Sequence, residues 1–232
     1  MPTKISIIIP CLNEEVAIAT CLLEIKEAIR RYLLEAEVIV VDNNSQDQTA
    51  NIVEASQADF PELLLVREER IGYGRAYLKG LSLAKGDYIF MADADNTYDF
   101  SEIDKFISHL DAGADLVVGN RFSSGTENLP MPWLHRYIGN PFLSFLVKKI
   151  FAIKISDIHC GARALRRSSL ASLDLRTDGM EFASEMIIKA GRQGLKITEI
   201  PIHYRPRLGE SKLHSLVDGW RHLSFILKNI KK

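Results

Sequence analysis

The sequence predicts an α/β layered fold built on a parallel sheet. Five short β-branched or aliphatic runs, Ile5 to Ile9, Glu37 to Val41, Leu63 to Val66, Asp87 to Ala92 and Asp115 to Gly119, read as strands covered on both faces. Segments of helical periodicity separate them in strict alternation, the pattern left by right-handed crossovers between parallel strands. No internal repeat or low-complexity linker interrupts the series. A chain of 232 residues exceeds the soft prior of ~150 per domain by too little to imply two.

The first run follows Met1-Pro2-Thr3-Lys4 directly and is too short and wrongly flanked for the core of a signal peptide, so it is expected to be a buried strand. Glu14 to Leu33 then puts Val16, Ala19, Leu22, Leu23, Ile25 and Ile29 roughly on one helical face. Asp47 to Ser56, Gly74 to Ala84 and Ser101 to Leu110 are helices of the same kind. Trp133 to Ile155 mixes Leu134, Ile138, Phe142, Phe145, Leu146, Ile150 and Phe151 with Arg136, Lys148, Lys149 and Lys154, which suits a helix lying in a membrane interface or one packed in a core. Leu216 to Lys232 is also amphipathic and ends in Lys228, Lys231 and Lys232.

Composition narrows the function classes. Hydrophobic residues make up 47% and charged residues 25%, the profile of an ordinary globular protein. Twenty-nine Lys and Arg against 30 Asp and Glu leave a net charge of -1, so no global basic field points to nucleic acid. Cys11, Cys21 and Cys160 are too few and too scattered for a disulfide framework or a C-x-x-C site, and a reducing compartment is expected. The longest stretch free of Asp, Glu, Lys and Arg, Tyr137 to Val147, has 11 residues, short of the ~20 that span a bilayer.

In such a fold the chemistry gathers beyond the carboxyl ends of the strands. Pro10-Cys11-Leu12-Asn13-Glu14-Glu15 follows the first strand, and Asp42-Asn43-Asn44-Ser45-Gln46-Asp47-Gln48-Thr49 the second. Asp93-Ala94-Asp95-Asn96-Thr97 follows the fourth, and Asn120-Arg121 the fifth. Asn13 and Ser45, each just ahead of an acidic residue near a helix start, read first as N-caps. Asp93 and Asp95 read differently. Alternation at a strand mouth points both carboxylates the same way, and paired hard oxygens suit Mg²⁺ or Mn²⁺, which complete their shells with water and substrate phosphates.

These segments, with Gly72-Tyr73-Gly74-Arg75-Ala76, occur in the order seen in family-2 inverting glycosyltransferases, which the chain resembles over nearly its whole length. Asp157-Ile158-His159-Cys160-Gly161-Ala162-Arg163-Ala164-Leu165, Glu199-Ile200-Pro201-Ile202 and Arg207-Leu208-Gly209-Glu210-Ser211-Lys212 are similar to the branch that makes dolichyl- and polyprenyl-phosphate mannose or glucose. The resemblance implies a GT-A fold in one domain, with residues 1–120 holding the nucleotide sugar, 121–212 the acceptor, and 213–232 forming a C-terminal amphipathic helix. It also implies that Pro10, Glu14, Val40, Asp42, Asp93 and Ala94 bind a GDP- or UDP-linked donor, and that Asp93 and Asp95 hold the metal. Asp95, Arg121, Arg207 and Lys212 would be the catalytic group, the last three contacting donor or acceptor phosphate. Thr97 stands where some relatives carry a Gln metal ligand, Leu12 where many carry an aromatic, and no Q-x-x-R-W motif of processive synthases is present.

The implied reaction moves a hexose from GDP-mannose or UDP-glucose to a polyprenyl phosphate, with peripheral attachment at the cytoplasmic face of the membrane. An anionic phosphate acceptor needs no general base; a hydroxyl acceptor, the alternative, would. Glu181 and Glu185 are the acidic candidates for that base, although Glu at i and i+4 on a helix is as often a solvated face. A nicotinamide-dependent oxidoreductase is excluded, since Tyr77 takes the third glycine position of the fingerprint that begins at Gly72. A silent sugar-nucleotide-binding module is disfavoured by the intact Asp93, Asp95, Arg207 and Lys212.

Overall fold

The structure is a computed structural model that describes residues 4–123, 135–212 and 215–230. Its strands are β1 (Ile5–Cys11), β2 (Ala36–Asp42), β3 (Leu63–Arg67), β4 (Tyr88–Met91), β5 (Leu116–Asn120), β6 (Arg163–Arg166) and β7 (Ile197–Pro201). The helices are α1 (Ile18–Tyr32), α2 (Thr49–Ser56), α3 (Tyr73–Leu83), α4 (Ile103–Asp111), α5 (Asn140–Phe151), α6 (Arg167–Leu173), α7 (Phe182–Arg192) and α8 (Ser215–Lys228). One seven-stranded sheet runs in the order β3-β2-β1-β4-β6-β5-β7. β1 pairs in parallel with β2 and β4, β2 with β3, and β5 with β7. β6 is antiparallel to both its neighbours, so the sheet is mostly rather than wholly parallel.

Burial follows the apolar runs. Ile7, Ile8 and Ile9 of β1, Val38 to Val41 of β2 and Ile89 to Met91 of β4 are buried on both faces, which places the core on either side of the sheet. β6 escapes the hydrophobic pattern because Arg163 and Arg166 bracket only two apolar residues. Arg163 is nonetheless buried, its guanidinium donating to the carbonyls of Ile158, Cys160 and Ala183 at 2.7–2.8 Å.

The helix expected from Glu14 starts at Ile18, and its core face is Ile18, Cys21, Leu22, Ile25, Ala28 and Ile29, at spacings of three and four. Leu22, Ile25 and Ile29 thus lie on the expected face, whereas Ala19 and Leu23 are exposed on the other side and Val16 is exposed ahead of the helix. Leu33 ends the helix in the left-handed region, φ 50°. The helices expected from Asp47 and Ser101 likewise begin later, at Thr49 and, after a 3-10 turn at Phe100–Glu102, at Ile103.

The segment after β5 enters a turn of π-helix at His135–Gly139 and then α5. Leu143 and Val147 are buried there, whereas Tyr137, Ile138, Phe142 and Phe145 are exposed beside Lys148 and Lys149. Trp133, Leu134, Lys231 and Lys232, named above with the two amphipathic segments, lie outside the described residues. Among the described residues no helix is long and apolar enough to cross a membrane.

Candidate active site

Three loops at the carboxyl edge of the sheet build one side of the site, and each turns through an asparagine. Asn13, Asn44 and Asn96 follow β1, β2 and β4 with φ of 52°, 67° and 66°. The short amide side chain tolerates this left-handed conformation better than most. The first two loops are then stitched together. Asn13 N–H donates to Ser45 Oγ, Gln46 N–H to Asn13 Oδ1, Glu14 N–H to Thr49 Oγ1 and Glu15 N–H to Asp47 Oδ2, at 2.7–3.1 Å. Asn13 and Ser45 therefore bind each other's loop and cap no helix, which corrects the N-cap reading; α1 and α2 have no side-chain cap.

Asp93 and Asp95 leave β4 into the same edge. Asp93 Oδ1 accepts from the hydroxyls of Tyr73 and Tyr77, at 3.1 and 3.2 Å. A Cβ on Gly161 would stand 2.5 Å from Asp93 Oδ2, so only glycine leaves that oxygen its place. Burial and the neighbouring Asp95 push the Asp93 carboxyl up to about 6. Asp95, almost wholly buried, accepts at Oδ1 from Thr97 N–H and Thr97 Oγ at 3.0 and 2.5 Å. Thr97 orients the Asp95 carboxylate.

The loop after β7 lies across these acids. Arg205 N–H donates to Thr97 O and Leu208 N–H to Asp95 O, at 2.9 and 3.0 Å, which seats Arg207 over the pair. Arg207 Nη2 meets Asp95 Oδ2 at 2.5 Å and Nη1 approaches Glu14 Oε1 at 3.6 Å. Lys212 Nζ donates to Glu14 Oε1 and Asn13 O, at 2.8 and 2.7 Å. Burial raises the Glu14 carboxyl in spite of Lys212, and its Oε2 is buried with no hydrogen-bond partner among the described residues.

These groups open on a cavity of about 770 Å³. Pro10, Glu14, Asp93, Ala94, Asp95, Arg121, Arg207 and Lys212, all expected at the site, line it. Val40 and Asp42 do not. Val40 is sealed in the sheet between Ile9 and Leu65, and Asp42 accepts from Ser45 N–H at 3.2 Å. Arg121 reaches the wall already paired: Nε and Nη2 clamp the two oxygens of the fully buried Asp157, both at 2.7 Å. That carboxylate holds the Arg121 charge firmly in place.

The far wall was not legible in full. It includes His159, residues 176–181, Tyr204, Asp218 and Arg221. Residues 177 and 178 come close because α3 starts on glycines: a Cβ at Gly74 would stand 2.1 Å from Thr177 O and one at Gly72 2.5 Å from Asp178 O. The two acidic candidates separate here. Glu185 is buried and accepts from Arg176 N–H, Thr177 N–H and Thr177 Oγ while pairing with Lys189, so it anchors the wall and is no solvated face. Glu181 lines the cavity, with Oε2 buried and without a hydrogen-bond partner among the described residues. Asp218 and Arg221 carry no motif; they reach the cavity from α8, Asp218 buried and Arg221 exposed.

The acids fit a hard divalent cation that shares its ligands with substrate. Arg207 on Asp95 Oδ2 shows that the position attracts positive charge, and the Asp93 carboxyl is raised first by burial and then by the neighbouring Asp95. Among the described residues no cluster of three or more His, Cys, Asp or Glu is arranged to hold a metal, so a cation at Asp93 and Asp95 would need ligands beyond these two side chains.

Comparison with known proteins agrees with this geometry. Residues 6–174 match the family model described as glycosyl transferase family 2. The chain is 41% identical over 228 residues to the low-salt glycan biosynthesis hexosyltransferase Agl6 of Haloferax volcanii, covering 97% of this chain and 53% of that protein. It is 30% identical over 215 residues to a dolichyl-phosphate hexose transferase of the same organism, covering 93% of this chain and 89% of that one. It thus spans about half the length of the first relative and most of the second. Among solved structures, glucosyl-3-phosphoglycerate synthase from Mycobacterium tuberculosis, in complex with Mn²⁺, UDP-glucose and glycerol 3-phosphate, superposes with a TM-score of 0.75 at 20% identity, over 99% of this chain and 80% of that one. The family match covers well over half of the sequence and the fold agrees with it from end to end: the chain belongs to glycosyltransferase family 2 and is a glycosyltransferase of the GT-A fold.

Proposed function

We propose that this enzyme transfers a hexose, with inversion, from GDP-mannose or UDP-glucose to a polyprenyl or dolichyl phosphate at a membrane surface. The observation that carries the reading is the facing of Asp93, Asp95 and Glu14 by Arg207 and Lys212 at the cavity mouth. A nucleotide sugar brings a diphosphate that two acids alone would repel. The nearby Arg and Lys can exchange carboxylate for phosphate, and Arg121 adds a fixed positive charge to the wall.

In this reading Pro10, Glu14, Asp93 and Ala94 hold the donor, with Val40 and Asp42 shaping its pocket from behind. Residues 1–120 supply the donor half and 121–212 the acceptor half. Asp93 and Asp95 would hold Mg²⁺ or Mn²⁺, which supplies charge neutralisation for the departing nucleoside diphosphate. A phosphate acceptor is already anionic near neutral pH, so aligning it behind the anomeric carbon replaces proton abstraction. The dolichyl-phosphate hexose transferase relative supports this acceptor class.

A lipid phosphate must be met at the bilayer. The exposed Tyr137, Ile138, Phe142 and Phe145 of the π-turn and α5, beside Lys148 and Lys149, suit an acyl boundary with anionic headgroups; in this reading they make a peripheral contact on the cytoplasmic side. The test is a panel of nucleotide sugars offered with polyprenyl phosphate and Mg²⁺ or Mn²⁺, scored for released nucleotide and glycolipid. Product from one donor supports the reading; nucleotide release with no lipid product under any condition overturns the acceptor. Glu181 favours a second reading, transfer to a saccharide hydroxyl, because its buried, unpartnered oxygen in the cavity has the chemistry of a general base.

A further inference from the structure

The cations facing the cavity differ in how far their charge is already committed. Arg121 is clamped by Asp157, Arg207 sits on Asp95, and Lys212 on Glu14. Arg176 pairs with Asp174 at 2.8 Å. Arg221, on α8, reaches only Asp218 Oδ1, at 3.9 Å, beyond hydrogen-bonding range, and makes no hydrogen bond among the described residues. Gly179 leaves room for it beside Glu181: a Cβ there would stand 2.5 Å from Glu181 Oε2 and 2.8 Å from Arg221 Nη1, so the Glu181 carboxylate neighbours the guanidinium without an ion pair to it.

The helix that carries Arg221 divides its apolar residues between two sides. Ile226 is buried together with Asp218 and His222, whereas Val217 and Trp220 are 56% and 67% exposed. Arg221 therefore lies where an apolar outward face meets the mouth of a polar cavity. An amphiphile entering along that face would bring its anionic head to the guanidinium while its chain stayed on the apolar side. The planar fork matches two oxygens of a phosphate monoester at once, which a lysine cannot do.

We propose that Arg221 binds the phosphate of the acceptor and sets the preference for a phosphate monoester over a neutral alcohol. This rests on the reading above that the acceptor carries a phosphate. The shared chemistry is the monoester; its source is a lipid or a small soluble phosphate, and the test separates the two.

Arg221→Gln, Arg221→Lys and Arg176→Gln are compared with the wild type for transfer to polyprenyl phosphate and to glycerol 3-phosphate, measuring the acceptor KM, the donor KM and kcat. Direct binding of farnesyl phosphate and of farnesol is followed by calorimetry. Loss of one charge-assisted contact should raise the acceptor KM on the order of ten- to a hundredfold in Arg221→Gln, with partial recovery in Arg221→Lys and no change in the donor KM. Farnesyl phosphate binding should weaken to the level of farnesol. A shift seen with the lipid identifies the lipid source, and one seen only with glycerol 3-phosphate identifies the soluble one; either supports the contact. An unchanged acceptor KM in an active Arg221→Gln overturns it while leaving the proposed reaction standing. An equal shift in Arg176→Gln also overturns it, reducing the effect to the general charge of the cavity. A wild type that transfers to neither phosphate overturns the reaction and this contact together.

Discussion

Acid should cost this protein stability at one imidazole, while the raised Asp93 carboxyl acts in the opposite sense. His222, on the inward face of α8, is buried, and its Nδ1 lies 2.7 Å from Ser184 Oγ and 3.2 Å from His159 Nε2. Burial, with the Arg163 charge nearby, lowers its pKa from 6.5 to about 4. Above pH 6.5 the imidazole is neutral in both folded and unfolded chains and stability is unaffected. Between 6.5 and 4 the unfolded chain takes up a proton that the folded one refuses, so stability falls as pH falls. From pH 7.5 to 5.0 the loss through this group is about 2 kcal/mol, worth roughly 4–8 °C in Tm for a chain of this size. Gln keeps an acceptor for Ser184 and has no proton to gain. Thermal unfolding of wild type and His222→Gln at both pH values measures the difference, with carboxylate effects common to both cancelling. Parallel losses in the two proteins, or an imidazole that titrates near 6.5 by NMR, would refute the reasoning.

Asp95→Asn should cut transfer by about a hundredfold or more while the fold survives, because the amide oxygen can still accept from Thr97 but cannot match a carboxylate's pull on a cation; chelation should act alike, and full turnover after rigorous metal removal would sink a metal-dependent reaction. Arg207→Ala and Lys212→Ala should each lower kcat/KM roughly tenfold or more in a lipid-phosphate assay, and no change in either would place phosphate handling elsewhere. A Phe142→Ser/Phe145→Ser double variant, both rings now half exposed, should lose co-flotation with anionic liposomes by roughly tenfold or more. High salt should weaken the wild type's flotation too, and equal recovery with neutral and anionic vesicles would argue against the interface.

The parts legible in the sequence are those set by local pattern. Ile5 to Ile9 announce β1 because a strand buried on both faces is apolar at every position, and Asp93 and Asp95 announce a site because they follow such a strand at once. β6 could not be read this way. Its place depends on Arg163, whose cost of burial is met by the carbonyls of Ile158 and Cys160 just before it and of Ala183 twenty residues on. The edge of the α1 face is undecided for a related reason: Leu23 is as apolar as Leu22, and only the sheet decides which of them is covered. Asn13 and Ser45 look like caps because the residue types that cap a helix also serve to tie one loop to another.

Arginines posed the hardest problem, and the structure sorts them by mobility. Arg121 and Arg207 both pair with an aspartate at the cavity, yet the sequence gives no hint of how different the two pairs are. Asp157 is fully buried and grips Arg121 through two oxygens, so pulling them apart would strand a buried charge at roughly 3–5 kcal/mol. Arg207 is 27% exposed and rides on a loop with Gly209 at φ +84°, two residues beyond it. Its contact with Asp95 can be traded for a phosphate oxygen of similar strength at little net change, and Lys212 can do the same with Glu14. If the site takes a nucleoside diphosphate next to its own carboxylates, as proposed, it needs cations of this second kind. Arg121 would then set a constant potential, while Arg207 and Lys212 would follow the charge as it arrives and leaves.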